Sequence, residues 1–300
     1  MLHDPIQERR QRLTAIALMC GAVASFACLD TIAKYLGGYM DVLQIVWARY
    51  TSAFLLTCLL SNPIRRPQIV RTTRLWLQVG RSFLLVGSTM LNFWAYRYLQ
   101  LDEALAIMFS TPFLVAILAG PVLGEWVGWR RWIAICVGFA GVLVVVRPGV
   151  AGFQWAALLS LGSACCYALY SISTRVLSRT DSNETTLFYS NMVGAVVMLP
   201  VLPFVWTPPR SVGQAALMIV MGVFAGLGHY LLIAGHRLAP ASVLSPFIYT
   251  QIVWAVTLGY LIFGNVPHAW TIIGSAIVIA SGLYLFHRER TVRPVVDPLP

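Results

Sequence analysis

Three charged side chains stand inside long apolar runs near the start of the chain: Asp30 and Lys34 within 14–36, and Arg49 within 42–61. A charge at the centre of a lipid-buried helix costs roughly 2.5–3.5 kcal/mol on insertion scales, so each of these groups must face a partner or a cavity. Asp30 and Lys34 are four residues apart with the acid first, the favourable order for an ion pair on one helix face. Two readings fit them. They form a gate or a substrate contact, with Asp30 the candidate for proton coupling, or they neutralise each other while Lys34 reaches for the interface. Arg49 either recognises an anionic group such as a carboxylate or ties helices together by pairing with Asp30 or free carbonyls. Arg81, near the start of the third run, is expected to mark the membrane interface. His229 is read as a proton relay or as an interhelical hydrogen-bond contact.

Neutral polar and aromatic residues in other runs could shape a site for a small molecule. The third run offers Ser88, Asn92, Trp94 and Tyr96; the fourth offers Ser110 and Thr111 ahead of Pro112, which frees a backbone carbonyl inside the membrane. Tyr167, Tyr170 and Tyr230 lie in later runs, and the ninth run carries Ser245, Tyr249, Thr250, Gln251 and Trp254, interrupted by Pro246. Polar groups in mid-span need partners, so Asn92, Trp94, Ser110, Thr111, Tyr249, Gln251 and Trp254 are the substrate-binding candidates. Asp30, Lys34, Arg49 and His229 are the coupling or gating candidates. For any single Tyr or Trp the competing role is an interfacial belt or ordinary packing.

These residues need elements to position them, and the composition says which kind. Of 300 residues, 58% are hydrophobic and 11% charged, against roughly 25% charged in soluble domains. Lipid must therefore be much of the solvent. Ten apolar runs are predicted as membrane spans: 14–36, 42–61, 75–96, 104–124, 132–146, 153–174, 186–206, 215–234, 243–264 and 270–286. With the N-terminus cytoplasmic, fifteen Lys and Arg residues fall in cytoplasmic segments. Only Arg97, Arg147 and Arg210 fall opposite. That bias places both termini inside and accounts for the net charge of +10 without nucleic acid. The six cysteines all lie in apolar runs and read as small hydrophobes rather than disulfides or metal ligands. No Walker loop and no His-Glu-x-x-His metal motif is present, so neither a cofactor nor enzyme chemistry is expected, and an ion or solute gradient would drive any transport.

The chain also repeats. A shift of 140 carries Gly124-Glu125 onto Gly264-Asn265, Arg97 onto Arg237, and Ser110-Thr111 onto Thr250-Gln251; a shift of 141 carries Gly141 onto Gly282. Two halves, 1–150 and 151–300, then hold five spans each. An odd number makes the second copy enter from the opposite side: an inverted repeat, with a site near mid-membrane and alternating access. Pro112 and Pro246 interrupt corresponding spans, though not at equivalent positions.

Ten spans in a 5+5 arrangement, Leu123-Gly124-Glu125, a Gly-bearing fifth span ending at Arg147-Pro148, Lys34, Arg49-Tyr50 and Gly80-Arg81 together resemble the drug/metabolite transporter superfamily, EamA type. The resemblance implies an all-α integral membrane protein of the cell inner membrane, with spans three, four, eight and nine lining a cavity. It implies an exporter of amino acids or related metabolites, or else an importer of a heterocyclic compound such as riboflavin or S-adenosylmethionine. Asn265 departs from the pattern, standing where the first half has Glu125, so a symmetric pair of carboxylates at that turn is not expected. An integral-membrane transferase and a membrane scaffold are the readings from other classes. The expected partners are a small-molecule substrate, the bilayer and, through Gly138 and Gly141, a second copy in a homodimer.

Overall fold

The computed structural model describes residues 5–63, 65–123, 128–147, 155–177, 180–239, 244 and 247–292, and every regular element among them is helical. The helices are α1 (Pro5–Gly37), α2 (Val42–Ser61), α3 (Leu75–Ala95), α4 (Leu101–Met108), α5 (Thr111–Leu123), α6 (Trp129–Val146), α7 (Ala157–Leu177), α8 (Asn183–Met198), α9 (Leu202–Val205), α10 (Val212–Leu238), α11 (Gln251–Phe263) and α12 (Ala269–Val292). Five helical stretches, Arg9–Gly37, Val42–Ser61, Leu101–Val122, Ala157–Leu177 and Val212–Leu238, are long and apolar enough to cross a bilayer. Trp132–Val146, Gln251–Phe263 and Ala269–Tyr284 are shorter apolar helices. α3 has the length but carries Gln78, Arg81 and Asn92, so its purpose is to bring polar groups inside. Gly124-Glu125, the proposed boundary near 150, and Ser245-Pro246 lie outside the described residues.

Packing follows a two-fold exchange of halves. α1 packs on α10 and α3 on α7; α2 packs on α10 and α8 on α3; α5 packs on α7 and α11 on α1. Each of these pairs becomes the other when first-half helices are swapped for their second-half counterparts. α2·α8 and α6·α12 are their own images. The symmetry reaches single atoms. A Cβ on Gly21 would lie 3.3 Å from Leu231 Cδ1, and a Cβ on Gly162 would lie 3.3 Å from Leu91 Cδ1. Those contacts are related by the shifts of 141 and 140. α6 and α12 cross where a Cβ on Gly274 would lie 2.6 Å from the Gly141 carbonyl oxygen; the image contact is the hydrogen bond from Ser281 Oγ to the Ala134 carbonyl. Gly141 thus serves a contact inside the chain, and Gly138 receives the Phe113 ring. One hydrophobic core links residues of both halves, from Leu29 and Ile45 to Tyr249 and Val278.

The fourth and ninth spans are broken helices. α4 ends and α5 begins around a turn at Phe109-Ser110; α11 begins after a turn at Tyr249-Thr250. The two turns are 140 residues apart and meet, with the Phe109 and Tyr249 rings edge-to-face at 5.0 Å. Two residues that are images of each other and touch must lie on the pseudo-axis. Each turn is tied by a threonine: Thr111 Oγ1 donates to the Met108 carbonyl at 2.7 Å, and Thr250 Oγ1 to the Phe247 carbonyl at 2.6 Å.

Candidate functional site

Arg49 is the centre of a polar cluster drawn from five helices. Its Nη1 donates to Thr89 Oγ1 at 2.8 Å, and its guanidinium lies 4.6 Å from the Tyr50 ring, a cation–π contact. Tyr50 meets the same Thr89 hydroxyl at 2.9 Å. Asp30 on α1, Tyr96 after α3, Tyr167 on α7 and His229 on α10 all lie in the field of the Arg49 charge. The Tyr96 hydroxyl faces Asp30 and accepts a hydrogen bond from Asn92 Nδ2 at 2.7 Å. His229 sits edge-on to Phe26 at 5.1 Å, and Tyr167 packs beside Tyr170 at 5.3 Å. Arg49 Nε and Asn92 Oδ1 are buried without a protein partner. Unsatisfied polar atoms in lipid-buried protein are costly, so such atoms mark the place where a solute could complete the bonding.

The expected Asp30–Lys34 pair is divided. Lys34 Nζ turns to the carbonyls of Tyr96, at 3.1 Å, and Leu99, and lies 5.5 Å from the Phe263 ring. Those carbonyls close the C-terminal end of the third span, where a cation is favoured by the helix dipole. Asp30 is left to Tyr96 and Arg49. Lys34 lies in the field of the acids Glu103 and Asp102. Sequence reading began the fourth span at Ala104 and missed both. α4 starts at Leu101 and buries them, with Glu103 Oε2 accepting from the Gln100 backbone N–H at 3.0 Å in a capping box. The signal was present in Gln100-x-x-Glu103. Asp102 Oδ2 is buried without a partner.

The substrate-binding candidates divide between two places. Asn92 belongs to the Arg49 cluster, whereas half-buried Trp94 packs against the main core. Ser110, Thr111, Tyr249 and Gln251 gather at the two helix breaks. Ser110 Oγ and Tyr249 Oη are both buried and unpartnered there, and half-buried Gln251 opens α11. Trp254 lies with Val253 and Leu261 on the exposed face of α11.

Arg81 overturns its expected interfacial role. It is 1% exposed. Its Nε donates to Thr174 Oγ1 at 2.7 Å, and its Nη2 to Tyr170 Oη at 2.9 Å and Ser190 Oγ at 3.0 Å. Its Nη1 reaches Gln78 Oε1 at 3.2 Å and the Thr186 carbonyl at 3.3 Å. Gln78 Nε2 continues to Asp181 Oδ2 at 2.7 Å, which also accepts from Thr72 Oγ1 at 2.6 Å. The planar guanidinium, with five donors, joins α3, α7 and α8 below the Arg49 cluster. At the other end of the molecule a cleft of about 490 Å³ opens between Lys34, Tyr35, Tyr39, Arg97 and Phe263, with Tyr96 in its wall. The Arg81 network thus ties α3, α7 and α8 together toward the end where Thr72 and Asp181 lie, and the cleft lies at the end bearing Tyr39.

Comparison with known proteins agrees with this architecture. A solved crystal structure superposes with a TM-score of 0.61 at 16% identity, covering 97% of this chain and 100% of the other, which shows the fold. An S-adenosylmethionine uptake transporter of Rickettsia conorii is 28% identical over 285 residues, covering 93% of this chain and 94% of that protein. A riboflavin transporter of Vibrio cholerae is 28% identical over 291 residues, covering 96% and 95%. The EamA-like transporter family matches twice, over residues 13–147 and 154–286. With apolar helices long enough to cross a membrane, two matches to one family unit and relatives named as transporters, this chain is a multi-pass membrane transporter of the EamA-like family.

Proposed function

We propose that this protein is a secondary carrier for a zwitterionic metabolite bearing a heterocycle, of the S-adenosylmethionine class, moved by alternating access between the two halves. The observation that carries this reading is the placement of one acid and one guanidinium, Asp30 and Arg49, in a single cluster ringed by aromatic side chains. A carboxylate suits Arg49 and an ammonium suits Asp30, while Tyr96, Tyr167 and Tyr170 offer ring faces and edges to a planar base. The similarity to an S-adenosylmethionine uptake transporter supports the same class. Amino-acid export, the role expected from the family resemblance, would use the charge pair and leave the rings idle. A second reading, a flavin, is favoured by the similarity to a riboflavin transporter and needs the rings but not the charges. The positive-inside bias supports an inner-membrane protein with both termini cytoplasmic, which puts the Arg81 network toward the cytoplasmic side.

The test is uptake into proteoliposomes holding this protein alone, with radiolabelled S-adenosylmethionine, riboflavin and methionine offered in turn. Accumulation of S-adenosylmethionine that is lost in Asp30→Asn and competed by S-adenosylhomocysteine is expected. Riboflavin uptake indifferent to Asp30→Asn would replace this reading with the flavin. Methionine carried as well as S-adenosylmethionine would restore the amino-acid carrier.

A further inference from the structure

Outside the central site, a groove lies on the flank formed by α6 and α12. From their crossing at Gly141 and Gly274, α6 and α12 run toward the basic face with a groove of about 620 Å³ between them, lined by Trp129, Arg130, Ile133, Val137, Ile277 and Tyr284. All its lining residues belong to these two helices, and Trp129, Ile133, Val137 and Tyr284 are exposed. The floor is chemically quiet, because the Ser281 hydroxyl donates to the Ala134 carbonyl. The mouth is not. Arg130 lies 5.2 Å from the Trp129 ring, a contact that occupies the face of its guanidinium and not its N–H donors. The sequence puts Arg131 beside it, and α12 continues past Tyr284 to Arg288 and Arg290.

The inverted repeat supplies an internal comparison. The shift of 140 that relates the α6–α12 contacts carries Arg130 onto Trp270 and Arg131 onto Thr271. The scaffold is thus duplicated at the opposite face, but the cation is not. A difference confined to one end is what selection of one lipid leaflet requires.

We propose that this groove is a binding site for an anionic phospholipid of the basic-face leaflet, with an acyl chain along Ile133, Val137 and Ile277 and the phosphate at Arg130. Trp129 and Tyr284 sit at headgroup depth, as interfacial aromatics do. A second copy packed groove to groove would bring its own Arg130 to the same mouth, a repulsion that a phosphate relieves.

Native mass spectrometry of the full chain, released from mixed phosphatidylglycerol and phosphatidylethanolamine, tests the site without reference to the transported solute. Phosphatidylglycerol is expected to be retained over phosphatidylethanolamine, and Arg130→Ala to weaken that retention about fivefold, the equivalent of ~1 kcal/mol per basic residue near the surface. Arg130→Lys is expected to keep most of it. Ala280→Trp, which fills the groove, is expected to lower retention of both lipids, with the thermal unfolding of each variant recorded alongside. Equal retention of the two lipids by the unmodified protein, or no change in Arg130→Ala, would overturn the proposal. So would binding of soluble glycerol phosphate at comparable strength, which would make the site one for free phosphate, or efficient cross-linking of Val137→Cys between copies in phosphatidylglycerol vesicles.

Discussion

Asp30 and Arg81 are both charges in apolar runs, and the structure gives them opposite tasks. Asp30 faces a tyrosine hydroxyl and a guanidinium in a cluster that still holds unpartnered atoms, the setting on which its proposed role in binding solute rests. Asp30→Asn keeps the shape and removes the charge. Transport is expected to fall by about tenfold or more, the loss of one charge-assisted hydrogen bond of roughly 1.5–3 kcal/mol, with the thermal unfolding midpoint unchanged. Ser110 gives the complementary case. Its hydroxyl is buried without a partner, so Ser110→Ala removes an unmet polar group and is expected to leave stability level or raised. A transport defect in that variant, read by solute flux beside a melting curve, would place the hydroxyl on the solute's path. At this scale the sequence announced which residues were unusual, because charges in apolar runs are rare. It did not announce their partners. The groups that bind Arg81 lie between 89 and 109 residues away on other helices, apart from Gln78 one turn before it. No local pattern records that distance.

The spans themselves were legible, since apolar length is a local property. Val42–Ser61 agrees at both ends, and α6 proves longer than its apolar core because Trp129 and Arg130 are helical too. The breaks in the fourth and ninth spans were half legible. Pro112 pointed to one, but it sits just inside α5 rather than at the turn, where a proline is tolerated because its missing N–H has no intrahelical acceptor. The match between Phe109-Ser110 and Tyr249-Thr250 emerges only from the backbone. Tyr249 is held against Gly282, where any Cβ would collide with the phenol oxygen. Gly282→Ala should therefore destabilise the protein by about 1–3 kcal/mol through overpacking, and Tyr249→Phe in the same chain should recover part of the loss. Chemical denaturation of the single and double variants measures both. Additive losses would show that the glycine serves some other contact.

For the whole molecule, the repeat predicts topology as well as packing. In a cysteine-free background, Arg71→Cys and Thr207→Cys should be labelled by impermeant thiol reagents from opposite sides of the membrane, since α2 and α3 place these positions at opposite ends. The duplication was readable from a few positions at a spacing of 140, and the two copies depart from it at charged positions. In the register that pairs Leu91 with Leu231, Arg81 falls on Met221 and Gln78 on Met218. The polar bridge that ties one end together is thus replaced, at the corresponding place near the other end, by two methionines. An empty carrier bolted at one end only spends most of its time presenting the pocket to the far compartment. Solute arriving from the bolted side meets a scarce conformer, and its apparent Kd weakens by that scarcity. Half-saturation measured from the two sides of a vesicle should then differ even when no gradient is applied, and Arg81→Met should draw the two values together.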